Sequence, residues 1–157
     1  MATSQRTDWP SILRTAVLAG ITGGLAIELY IYVTVILRQN GDVLGYWQWI
    51  ASVAVGQAAL TSQAFAWLGI ALHFIVSIGW AAGYAYIAGT RAFMSRRWAI
   101  SGIGFGFVVY VFMQFMLIGA GKFVPPGDTQ LVNQLVAHCL FFGVPVAFVT
   151  AKIGQST

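Results

Sequence analysis

Four stretches of this chain are each long and apolar enough to cross a bilayer, and little sequence is left between them. They run over about 12–37, 64–88, 98–120 and 130–153. A helix needs ~20 mostly apolar residues to span a membrane. In lipid every backbone polar group must be satisfied internally, which a lone helix achieves and a lone strand does not. Charged residues make up 8% of the sequence, against roughly 25% in a soluble domain. So few charges cannot cover a water-facing surface. The expected fold class is all-α: a polytopic membrane protein with four transmembrane helices in a bundle, built by residues 1–157 as one domain with lipid as its main solvent.

The segments between the runs carry the punctuation. Asp8 before Trp9-Pro10 reads as a helix start, with an acceptor at the cap and proline in the first turn. The first run is too long for a cleavable signal and has no small-residue cleavage site after it, so it is expected to stay as a span. RQNGDVLG, residues 38–45, reads as a turn. Residues 46–60 are too short and too polar for a fifth span, and Tyr46, Trp47 and Trp49 suit headgroup depth. They predict an interfacial helix; the alternative is an outward extension of the second span. GTRAFMSRR reads as a basic loop, and Asp128 or Thr129 as the cap of the fourth span.

The net charge of +4 comes from Lys and Arg placed singly or in small groups at the span ends. That distribution marks topology and does not fit a nucleic-acid surface, which needs a basic face. Arg6, Arg14, Arg91, Arg96, Arg97 and Lys152 fall on one side, Arg38 and Lys122 on the other, which predicts both termini in the cytoplasm. The single cysteine, Cys139, excludes an intrachain disulfide.

Inside the spans, small residues recur at helical spacing and predict faces of close packing. Ala16, Gly20 and Gly24 form one such stripe, and its continuation carries Glu28 and Tyr32. Gly69, His73 and Ser77 form another, with Trp80 and Tyr84 beyond. Gly102, Gly106, Tyr110 and Gln114 lie together on the third span; Gln134, His138, Phe142 and Pro145 lie together on the fourth. At 1.5 Å per residue, Glu28 and His73 each fall roughly 13 Å from the outer end of their span, His138 roughly 12 Å and Gln114 roughly 9 Å. The expectation is a polar centre of Glu28, His73, Gln114 and His138 in the outer half of the bundle.

An acid at that depth costs several kcal/mol unless paired, protonated or hydrated. Four kinds of site accommodate it beside two imidazoles. One is a hydrogen-bonded knot that fixes helix packing. Another is a proton relay or transport site, with Glu28 as carrier, the histidines as relay groups and Gln114 orienting them. His73, His138 and Glu28 also make a suitable shell for zinc or a related divalent metal. Haem b held between His73 and His138 is the fourth. No Ser-His-Asp or Cys-His nucleophile set is present, so no enzyme is expected. SGIGFGF, residues 101–107, has the glycines of a nucleotide loop but follows no strand, and reads as close helix packing.

The run LHFIVSIGWAAGYAYIAG, residues 72–89, resembles the second span of YagU-like bacterial inner-membrane proteins, and QLVAHCLFFGV, residues 134–144, resembles their last span. Glu28 is similar in place to a first-span glutamate of that family. The resemblance implies a four-span protein of the bacterial inner membrane, with lipids and a homodimer as the partners to consider. It assigns no catalytic residue and does not choose among the four kinds of site.

Overall fold

The computed structural model describes residues 9–154. The Asp8 cap and the Arg6 topology signal lie outside them. The described residues form an all-helical bundle without strands. Helix α1 (Trp9–Ile31) continues through a π-helical segment, Tyr32–Leu37. Helix α2 (Val43–Val55) is followed by a 3-10 segment, Gly56–Leu60, and then by α3 (Ala64–Thr90). After α3 come the short α4 (Ala92–Arg96) and the long α5 (Trp98–Gly119). The last rod is α6 (Asp128–Val136), a π-helical segment Ala137–Gly143, and α7 (Val144–Gly154). Four of these rods are long and apolar enough to cross a membrane: Trp9–Leu37, Ala64–Thr90, Trp98–Gly119 and Asp128–Ile153.

The distribution of side-chain size is that of a protein dissolved in lipid. Ala19, Ala81 and Ala147 are fully buried, whereas Trp67 is 75% exposed, Leu29 66% and Phe115 65%. In water the large residues would take the inside. Between spans in lipid, small residues take it, because apposed backbones gain contact that bulk on the outside does not provide. At Gly106 an added Cβ would strike the His138 carbonyl, and at Gly143 the Gly102 carbonyl, so α5 and the last rod touch backbone to backbone. This accounts for the SGIGFGF glycines; Gly104, between them, faces outward with no atom within 4 Å.

Several boundaries differ from the sequence reading. The turn after α1 is shorter than residues 38–45, because the Asp42 carboxylate accepts from Leu44 N at 3.0 Å and starts α2 at Val43. Gly56, at φ 73°, ends α2. Helix α2 does not extend α3 outward: it folds back along it, and a Cβ at Gly69 would meet the Trp47 carbonyl. The basic segment after α3 is not all loop, since α4 makes a short turn of helix there. Neither Asp128 nor Thr129 caps the last rod. Gly127 holds the cap position without a side-chain bond, and Asp128 lies in the first helical turn, where its charge suits the helix dipole.

Both π segments sit beside the polar residues. The first begins four residues beyond Glu28, at Tyr32, which was expected on the packing stripe and is 45% exposed. The second contains His138, and Val144 N reaches back five residues to the Cys139 carbonyl. Pro145 follows at once, without the N–H that the carbonyl four residues back would need. Single π turns inside helices are concentrated at functional sites.

Candidate functional site

Close approach of α1 and α3 builds the centre. A Cβ at Gly20 would stand 2.5 Å from Ile78 Cα, and one at Gly24 would stand 3.0 Å from the Phe74 ring and 3.3 Å from His73 Nε2. With no side chain there, His73 lies against the backbone of α1. Its Nε2 is 3.3 Å from the Gly24 carbonyl oxygen, and its Nδ1 is 3.3 Å from Glu28 Oε1. The side chains are 16% and 15% exposed, so the pair is held mostly inside the protein.

The Gly24 carbonyl determines what this contact can do. A carbonyl only accepts, so Nε2 must carry a hydrogen. When the ring is neutral, Nδ1 then presents a lone pair to the carboxyl group. When it is charged, Nδ1 presents a second N–H. The pair therefore has two forms of equal net charge: imidazole with carboxylic acid, and imidazolium with carboxylate. One proton moved across one contact interconverts them.

A third group completes the cluster. The Tyr46 hydroxyl donates to the same Glu28 Oε1 at 3.0 Å. Burial, and secondarily the charge of Glu28, push the Tyr46 phenol well above the usual tyrosine range, so it stays a donor. Next to it the Trp47 ring meets His73 edge-on with centroids 5.8 Å apart. Tyr46 and Trp47 are thus wall residues of the site, a contact that their reading as aromatics at headgroup depth did not include. The signal for it was present: an aromatic pair at the start of a helix that follows the Glu28 span by one short turn.

Glu28 Oε1 takes both contacts, and Oε2 has no hydrogen bond among the described residues. Glu28 borders a cleft of about 300 Å³ between α1 and α2, with Leu25, Leu29, Tyr32, Val43 and Trp47 among its walls.

The other two expected members form a second cluster, organised by Gln134. Gln114 Nε2 donates to Gln134 Oε1 at 2.9 Å, joining α5 to α6. His138 Nδ1 donates to the Gln134 carbonyl at 2.8 Å, and its ring packs edge-on against Tyr110 with centroids 5.6 Å apart. The His138 ring is within electrostatic reach of His73 but shares no hydrogen bond with it. The expected single layer of four is therefore divided into a pair with Tyr46 and a triad around Gln134. The depth argument placed the groups at similar heights; it could not say which neighbour each would reach around the bundle.

Among the described residues no three His, Cys, Asp or Glu side chains come close enough to share an ion. Both ring nitrogens of His73 are engaged, one by a carbonyl and one by Glu28. A ligand role for His73 would replace one of these two contacts with a bond to the metal.

Fold and site define a multi-pass integral membrane protein with an acid, an imidazole and a phenol joined between its helices. The chain matches no protein-family model, no curated protein and no solved structure.

Proposed function

We propose that the chain is a small transporter-like membrane protein that handles protons at Glu28 and His73. The supporting observation is the 3.3 Å contact between Glu28 Oε1 and His73 Nδ1, with the other imidazole nitrogen fixed as a donor by the Gly24 carbonyl. Intramembrane acids and histidines mark proton paths because leaving them there without a task is costly. In this reading Glu28 carries the proton, His73 relays it, and Tyr46 holds the carboxyl group in place. The Gln114–Gln134–His138 cluster has the structural role of joining the third and fourth spans. Placement in a bacterial inner membrane with both termini cytoplasmic belongs to the same reading, on the strength of the basic residues and the YagU-like run 72–89. So does α2 lying at the outer interface.

Proteoliposomes carrying a potassium-diffusion potential and an internal pH dye test it. The wild type is expected to pass protons, and Glu28→Gln, which keeps shape and removes the titrating group, is expected to abolish the flux. Equal flux in both would remove Glu28 from the mechanism.

A further inference from the structure

The cleft beside Glu28 has a composition that selects its occupant. Its walls are apolar and aromatic, and several face outward: Leu25 is 57% exposed, Leu29 66% and Val43 41%. The opening is thus on the perimeter of the bundle, where lipid tails would lie. Its volume of about 300 Å³ is at the lower end of small-molecule sites. Glu28 is the only acid among the described residues of the wall, and its Oε2 is not bonded to any of them. Tyr46 and Trp47 are among the lining residues, and aromatic rings attract cations.

We infer that this cleft binds one lipophilic organic monocation, an amine or quaternary ammonium with an apolar body, entering sideways from the lipid to pair with Glu28. A neutral lipid tail would offer Oε2 no partner, and an anionic headgroup would be repelled by the carboxylate that remains once the shared proton leaves. The inference rests on the proton-handling reading and names the substrate class of the same site. The charge balance follows from the pair. With its shared proton, Glu28 and His73 are neutral together. When the cation arrives, that proton leaves to water, Glu28 remains as carboxylate beside the cation, and His73 remains neutral. The titratable groups facing Glu28 are His73 from α3, Tyr46 from α2 and, along the cleft wall, Tyr32.

The experiment uses the full chain in nanodiscs and benzyltrimethylammonium as probe, with its uncharged isostere neopentylbenzene alongside. Calorimetry and a pH dye in weak buffer are read together. Saturable binding of the cation with release of about one proton per site is expected, at least about tenfold tighter than the isostere. Glu28→Gln is expected to lose both the preference and the proton. Equal binding of cation and isostere in the wild-type protein, no saturable binding, or undiminished cation binding in Glu28→Gln would each overturn the inference. The isostere comparison needs no variant, so it does not depend on how Glu28→Gln folds. Loss of this inference with the Glu28-dependent proton flux intact leaves the proton-handling reading standing; cation binding without any such flux removes that reading instead.

Discussion

Tyr46 donates its hydroxyl to Glu28 across 3.0 Å, from a helix outside the four spans to an acid inside one. Helix α2 is thereby part of the site. Trp47 is seated on Gly69 and beside the His73 ring, so the same two residues cover both members of the acid–imidazole pair.

The Tyr46 phenol is held above the ordinary tyrosine value first by burial and then by Glu28. The stability that its neutral form contributes is therefore fully present below pH ~10, the unfolded tyrosine value, and is lost as pH rises beyond it. In an ultraviolet titration, Tyr46→Phe should remove a phenol that ionises above that range, and Glu28→Gln should move that phenol's ionisation to lower pH. Tyr46→Phe should also cost about 0.5–1.5 kcal/mol at neutral pH, as for loss of one hydrogen bond. A Tyr46 that ionises at the ordinary value would contradict its place in the centre.

Two glycines on one helix provide an internal comparison. Gly106→Ala places a methyl group against the His138 carbonyl, whereas Gly104→Ala meets no atom within 4 Å. Overpacking of the first kind costs about 1–3 kcal/mol. The second should fall within about 0.5 kcal/mol of zero. Unfolding in mixed micelles measures both, and equal effects would contradict the backbone contact between α5 and the last rod.

Gln114 and Gln134 should behave as a structural pair. A double-mutant cycle with Gln114→Leu and Gln134→Leu is expected to give a coupling energy of about 0.6 kcal/mol, the average for polar bridges between membrane helices. Proton flux should be unaffected by either change. Flux lost in Gln114→Leu would return this residue to the centre where its depth alone had placed it.

The four spans were legible because length and hydropathy constrain a membrane helix so strongly, and the stripe through Gly20 and Gly24, read as a packing face that carries Glu28, lies against α3 in the structure. Rise per residue gave each polar group a height along its span but no direction around it. Which of His73, Gln114 and His138 faces Glu28 depends on helix rotation and neighbour order, and two π segments alter that rotation within the spans. No spacing in the sequence announced them. Tyr46 was missed because an aromatic at the start of a short amphipathic helix serves equally as a headgroup anchor. Only the fold-back of α2 onto α3 distinguishes the two roles.

The central claim is that Glu28 and His73 share one proton, with the imidazole orientation fixed by Gly24. Nitrogen NMR of histidine-labelled protein tests it most directly. The account predicts that His73 Nε2 carries a hydrogen throughout, while the Nδ1 resonance shifts when Glu28 is replaced by Gln. A neutral His73 protonated on Nδ1 instead, or an Nδ1 resonance indifferent to Glu28→Gln, would contradict it.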